Sequence, residues 1–366
     1  MIRTRRGKVV KVLKRRTNLT EVLVEVEGVL EKAINYDDLT GEIKEGTEVI
    51  LNTTALRLGL GTGGRHFVMH ILGEDNLDIS SLGHIMKLRY TPWQVKCLAV
   101  EEEDSFYRGK MEKFTSLKGM PVVIAPLHSL VPLVAAAFQQ ALGGKGKVAY
   151  LMTDGAALPL AFSELVYQLQ GQGLIEKTIT VGHAFGGDLE AVNVYTGLIA
   201  ACQVVEADMA VIAMGPGIVG TGSEYGFTGI EQGEIINSVN VLGGRPIAVP
   251  RLSFADTRER HQGISHHTLT SLGKIALTPA LLPLPKLEKV KMELIQRQLS
   301  ETGIRQKHQV IEMEDTSRAL DLLEQLGIRV TTMGRGPQEE KEFFQAGAVA
   351  GLLAANLTYY LLTPAR

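Results

Sequence analysis

The chain has 366 residues, of which 45% are hydrophobic and 21% charged, with a net charge of -2. It is long enough for two domains with a sizeable core, and its charge balance speaks against a surface built for nucleic acid or membrane lipid. Cys97 and Cys202 are the only cysteines, which excludes a disulfide framework or a cysteine zinc site and fits a reducing cytosol.

The opening MIRTRRGKVV is basic but lacks the apolar core of a signal peptide. Residues 1–88 read as a small β-barrel-like domain. Val10, Val12 and Leu13 alternate imperfectly with Lys11, Lys14 and Arg15, whereas Glu21 to Glu27 alternates cleanly as a half-buried strand. Gly41 and Gly46 mark turns before Val49-Ile50-Leu51, and His66 to His70 is a further strand. The basic run Arg3, Arg5, Arg6, Lys8, Lys11, Lys14, Arg15 and Arg16 has the charge to dock nucleic acid, but no aromatic interleaves with it to stack a base. A solvated strand face paired with Glu21, Glu25 and Glu27 is the simpler reading. Gly59 to Gly64 spells G-x-G-x-x-G, but a strand follows where a dinucleotide site needs a helix. His66 and His70, about 13 Å apart on a strand, are too distant to share a metal.

Residues 89–118 read as a helical connector, with Thr91-Pro92 as cap and first-turn proline ahead of Trp93, Cys97, Leu98 and Val100. Glu101 to Asp104 is expected to be a solvated charge run. From 119 to 366 the chain repeats an α/β pattern. Strands are predicted at Val122–Ala125, Val148–Leu151, Thr178–Val181, Met209–Ala213, Ile247–Val249, Gln309–Ile311 and Ile328–Thr332. Helical patterns lie between many of them, at Leu133–Leu142, Leu158–Gln170, Leu189–Val204 and Arg318–Leu326, with another near Leu287–Leu299. Short apolar strands alternating with helices imply a mostly parallel, doubly wound, Rossmann-like sheet covered on both faces. Pro279, Pro283 and Pro285 suggest a subdivision near 279–286. The uncharged stretch Phe343 to Ala365, with Gly347 and Gly351, reads as a helix buried against the sheet, since Gln345, Asn356, Thr358 and Thr363 interrupt it as a membrane span.

Ligands of such a sheet bind beyond the carboxyl ends of its strands. The segments there carry His128, Asp154, His183, Asp188, Ser223, Glu224 and Arg335. Two segments carry more chemistry than the rest. Gly215, Gly217, Gly220 and Gly222 form a loop directly after a strand, with backbone NH groups suited to an anion. Arg251 to Thr268, RLSFADTRERHQGISHHT, supplies Arg251, Arg258 and Arg260 as forked donors for phosphate or carboxylate, and Asp256 as an orienting acid. His261, His266 and His267 are the acid/base or metal-ligand candidates, with Ser265 as a helix N-cap that places the last two in a first turn. Asp154 is a further catalytic candidate; His128, His183, Asp188 and Ser223 are ligand-binding candidates. A divalent metal on His261, His266 and Asp256 is a weaker expectation, because no fixed zinc spacing appears. Ser129, Ser223, Ser253 and Ser265 offer no ranked nucleophile, since no G-x-S-x-G elbow is present.

GLGTGGRHFV, GHAFGGDLEAVNVYTGL, MGPGIVGTGSEYGFTGIEQGE and RLSFADTRERHQGISHHT together resemble the domain-of-unknown-function family 3866 over nearly the whole chain. The resemblance implies a bacterial cytosolic protein and brings no activity or site residue with it. The residues themselves point to an enzyme, a hydrolase or group transferase, acting on a small phosphorylated or nucleotide-like anion. The alternative is a non-catalytic ligand-binding or regulatory module whose basic N-terminal domain docks a protein or nucleic acid. Oligomeric state is left open. The enzyme reading requires the glycine loop and the Arg/His stretch to face each other.

Overall fold

A computed structural model describes residues 1–61, 63–73 and 83–362, the side chains of 360 and 362 excepted. Thr62 of the first glycine run and Thr363 to Ala365 of the terminal apolar stretch lie outside the described residues. The chain forms two compact units, residues 1–82 with 88–97, and residues 83–87 with 98–366.

The first unit is a closed five-stranded barrel of β1 (Thr4–Arg16), β2 (Leu19–Val26), β3 (Val29–Asn35), β4 (Glu48–Asn52) and β5 (Arg65–Ile71), ordered β1-β2-β3-β5-β4. Val9, Val22, Val24, Val26, Val49, Leu51 and Val68 fill its interior. The imperfect alternation of β1 has a structural cause: its register slips between Val9 and Lys11 and again between Val12 and Lys14. Such bulges bend a strand and let it pair with two neighbours around a barrel. Arg3 and Arg5 bond Glu27, and Arg6 bonds Glu48, so part of the basic run is neutralised by acids of the barrel. Glu21 instead takes Arg65 at 3.0 Å.

The helix expected after Pro92 is absent. Thr91 N donates to Leu88 O in a turn, Trp93 Nε1 reaches Met69 O at 3.3 Å, and Val95–Cys97 is extended. In the second unit, Glu101 and Glu102 are not solvated as expected. The Glu102 carboxylate accepts from the amides of Ala99 at 2.6 Å and His84 at 2.7 Å, and Glu101 accepts from Val192 N at 2.9 Å.

The second unit carries an eight-stranded, all-parallel sheet. Its elements in chain order are β6 (Pro121–Ile124), α1 (Val131–Ala141), β7 (Val148–Thr153), α2 (Glu164–Gly171), β8 (Lys177–Thr180), β9 (Leu189–Glu190), α3 (Val194–Gln203), β10 (Met209–Met214), α4 (Glu231–Val241) and β11 (Arg245–Ala248). A two-residue ribbon, β12 (Leu252–Ser253) with β13 (Gly263–Ile264), and the short helix α5 (His266–Thr270) follow. The chain ends with β14 (Leu281–Pro285), α6 (Lys289–Glu301), β15 (Gln309–Met313), α7 (Ala319–Gln325) and α8 (Lys341–Leu362). The sheet order is β9-β8-β7-β10-β6-β11-β14-β15.

From central β6 the chain winds out through β7, β8 and β9, returns to β10 between β7 and β6, then crosses β6 to reach β11. The winding direction reverses there, so the loops leaving β6, β10 and β11 diverge and open a crevice. Four predicted features differ. The helix expected from Leu158 begins only at Glu164, and Leu281–Pro285, in the stretch where three prolines suggested a subdivision, is a strand paired on both sides in the sheet. Residues 189–193 open with a short strand rather than a helix, and 328–332 are not a strand of the sheet.

Helix α8 explains the glycine spacing near the C-terminus. A Cβ on Gly351 would stand 2.3 Å from Val134 O, and one on Gly347 would stand 3.0 Å from Leu133 Cβ, so the two glycines let α8 lie directly on the backbone of α1. Among the described residues no helix is long and apolar enough to cross a membrane.

Candidate functional site

The crevice loops bring together the two segments that the enzyme reading needs. After β11, Arg251 is buried, and the β12–β13 ribbon pinches off a loop whose hub is the buried Asp256. Asp256 accepts from Arg258 N at 3.1 Å, Arg258 Nε at 2.9 Å and Arg258 Nη2 at 2.7 Å, with Arg251 Nη2 at 3.4 Å and Arg335 Nη2 at 3.7 Å. The Arg258 bonds hold the Asp256 carboxyl well below the usual carboxylate range. Arg258 and Asp256 therefore satisfy each other, and Asp256 acts as a structural anchor for the arginines. Arg260 has no hydrogen-bond or ion-pair partner among the described residues.

Past the ribbon, Ser265 is the N-cap of α5, its hydroxyl accepting from His267 N at 3.4 Å, as its position predicts. The three histidines then pack into one cluster. His266 and His267 have ring centroids 4.2 Å apart, His261 lies 5.0 Å from His266, and Phe227 stacks on His267 at 4.0 Å. His261 Nδ1 is 2.8 Å from Ser265 Oγ. Burial first, and the neighbouring arginine charges next, push His261 down to about 3 and His267, with His266 beside it, to about 4; His266 is lowered as well. All three are neutral imidazoles near neutral pH. Nε2 of His266 and Nδ1 of His267 are buried without a hydrogen-bond partner, a condition that costs free energy until a ligand or water fills it.

The glycine loop after β10 lies against this cluster. A Cβ on Gly220 would stand 3.1 Å from Cε1 and 3.3 Å from Nε2 of His267, and one on Gly222 would stand 3.8 Å from Nη2 of Arg260. Gly217 and Gly222 have φ of +104° and +81°, which a side chain would resist. Gly215 passes Ala157 O so closely that a Cβ would stand 2.5 Å from it. The loop is braced by Thr221 N to Gly226 O at 2.8 Å and by Gly226 N to Ser223 Oγ at 3.1 Å. Ser223 is thus committed to the loop itself, while the amides of Gly220 and Gly222 have no partner among the described residues.

Of the remaining candidates, His128 and Asp154 follow strands at the carboxyl edge, whereas Asp188, expected there too, lies at the opposite edge, beside Thr178 at the start of β8 and Gln170 at the end of α2. His128 is buried beside Tyr150 and Ser163, in a cavity of about 420 Å³ that Gly215 and Gly217 also line. Asp154 accepts from His183 N at 2.8 Å and lines a separate cavity of about 520 Å³ with Thr153, Gly182, Tyr195 and Glu231. Asp188 is consumed by Thr178 N at 2.8 Å, Thr178 Oγ1 at 2.9 Å and Gln170 Nε2 at 2.7 Å, and it fastens β8. Sequence reasoning missed two groups. Glu231 accepts from Thr153 Oγ1 at 2.7 Å and is pushed up to about 7 by burial, with the Asp154 charge adding to the shift. Ser163, 35 positions from its histidine partner, carries no local motif. Among the described residues no group of three or more His, Cys, Asp or Glu side chains is arranged to hold a metal ion, so the residues present do not fit the divalent cation expected on His261, His266 and Asp256.

A family model described as "Protein of unknown function (DUF3866)" matches residues 32–351. No curated protein and no solved structure matches the chain.

Proposed function

The chain belongs to this family of unknown function, and we propose that it is a bacterial cytosolic protein, as the family resemblance implies, and, from its residues, an enzyme, a hydrolase or group transferase, acting on a small phosphorylated or nucleotide-like anion. The observation that carries this reading is the apposition of Gly220 and Gly222 with His267 and Arg260, beside two buried imidazole nitrogens that lack partners. The amides of Gly220 and Gly222 and the Arg260 guanidinium supply donors for an anion. Arg251 and Arg258, held by Asp256, add positive potential without being consumed by the ligand. His266 or His267, kept neutral by burial and by those arginines, accepts a proton from the attacking group.

The test is thermal unfolding with inorganic phosphate and adenosine monophosphate as probes. A ligand at about 100 times its Kd stabilises the folded state by about 2.7 kcal/mol. The expected result is a rise in Tm with at least one probe, lost in Arg260→Ala and in His266→Gln. No rise with either probe, or a rise that both variants keep, overturns the reading.

A further inference from the structure

The glycine loop has a second side. Gly215, Pro216 and Gly217 line the 420 Å³ cavity into which His128 and Ser163 are also set. His128 comes from the turn after β6, and Ser163 is the N-cap of α2, where its hydroxyl accepts from Val166 N at 3.1 Å. Their side chains meet, with His128 Nε2 2.7 Å from Ser163 Oγ. On the far side of the ring, Nδ1 is 3.1 Å from the Tyr150 hydroxyl, which donates to Ala213 O at 3.2 Å.

These bonds set the direction of the protons. With its hydrogen directed to Ala213 O, the Tyr150 oxygen is an acceptor, so Nδ1 carries the ring hydrogen. That tautomer leaves the Nε2 lone pair facing the Ser163 hydroxyl, the arrangement in which an imidazole acts as base toward a serine. Burial, partly offset by a backbone hydrogen bond to Met214, pushes His128 down to about 4, so the base form prevails around neutrality. Leu127, Phe162, Leu165, Met214 and Ile218 give the cavity apolar walls, and the first-turn amide of Leu165 has no partner among the described residues.

We propose that Ser163 is a nucleophile activated by His128, and that the cavity takes a short-chain carboxylic ester. The Ser163 oxygen bonds to the ester carbonyl carbon as its proton passes to His128 Nε2. The carbon–alkoxide bond breaks, and the alcohol leaves with that proton. Water then attacks the acyl-serine, delivering one proton through His128 back to Ser163 and releasing the carboxylic acid. The Leu165 amide is the donor available to the developing oxyanion. This site stands apart from the anion reading, and its test reads a different residue.

The experiment treats the full chain with diisopropyl fluorophosphate and locates the adduct by intact mass and peptide mapping. One adduct on Ser163 is expected, absent in Ser163→Ala and formed at least about a hundredfold more slowly in His128→Gln. Should His128→Gln fail to fold, the wild-type pH profile replaces it: labelling is level above about pH 5 and declines as His128 takes up its proton near pH 4. Tyr150→Phe, which strips Nδ1 of its acceptor, is expected to shift the midpoint of that decline. An unmoved midpoint overturns the tautomer on which the base role of His128 rests, and the proposal with it. No adduct on Ser163, an undiminished rate in folded His128→Gln, or a rate that climbs steadily to pH 9 overturns it.

Discussion

Asp256→Ala tests whether the Arg/His stretch is held by one buried carboxylate. The substitution removes three bonds to Arg258 and the ion pair to Arg251, whose side chain is only 9% exposed. The Arg258 side chain is 42% exposed, so losing its partner costs at most about 1 kcal/mol. Arg251 dominates, because a buried charge stripped of its partner costs about 3–5 kcal/mol. With Asp256 gone, the field of Glu340 favours the Arg251 cation while those of Arg258 and Arg335 oppose it, so the loss is at least about 3 kcal/mol. At about 2–4 °C per kcal/mol for a unit of this size, a loss of about 3 kcal/mol lowers Tm by about 6–12 °C. Differential scanning calorimetry at pH 7 reads this directly.

The pH dependence follows from the depressed carboxyl. Its contribution is fully present above the unfolded value of about 3.9 and is lost as pH falls towards its lower folded value. The gap between wild type and Asp256→Ala is therefore constant from pH 7 to about 5 and narrows only below about pH 4. A drop in Tm under 2 °C at pH 7, or a gap that closes by pH 5.5, refutes the account of Asp256 as anchor.

Two further outcomes follow from the packing and from Glu231. Gly351→Ala gains about 1 kcal/mol of helix propensity but drives a methyl group to 2.3 Å from the main-chain Val134 O. Overpacking of about 1–3 kcal/mol, at its upper end against rigid backbone, makes the net effect a loss. Gly171→Ala, with nothing within 4 Å of the new Cβ, is the matched control and is neutral or mildly stabilising in the same melt. Glu231, raised from 4.5 to about 7 by burial, keeps its proton in the folded state over a range in which the unfolded chain has released it. Folding stability accordingly falls as pH rises from about 4.5 to 7, and the full cost is present above 7. Glu231→Gln should melt higher than wild type at pH 8 and no higher at pH 4.5; equal Tm values at pH 8 contradict the burial argument.

Much of the architecture was legible because short-range physics sets it. The period-two run Glu21 to Glu27 marks a strand with Val22, Val24 and Val26 inside, and the fully apolar runs at Val122, Val148 and Met209 mark strands covered on both faces. Ser265 identifies itself as an N-cap by its own chemistry. The glycine loop and the Arg/His stretch could be nominated for the same reason: each follows a strand, and each concentrates donors. Where local signals competed with tertiary bonds, they lost. Thr91-Pro92 has the form of a helix start, yet Trp93 is tied to Met69 O. Glu102 has the form of a surface acid, yet its carboxylate holds two backbone amides.

The amino-acid order by itself thus determined which segments become strands and helices and which loops carry charge, since hydrophobic period and capping act over a few residues. Strand order was a matter for the tertiary structure alone. Inserting β10 between β7 and β6 brings Gly220 to His267, 47 positions away, and sets Ser163 against His128. Pairing across such separations is decided by how the sheet closes its core, and no local pattern records it. The same packing decides which candidates remain free to act: Asp188 and Asp256 are spent on structure, whereas Arg260 and two imidazole nitrogens are left without partners among the described residues.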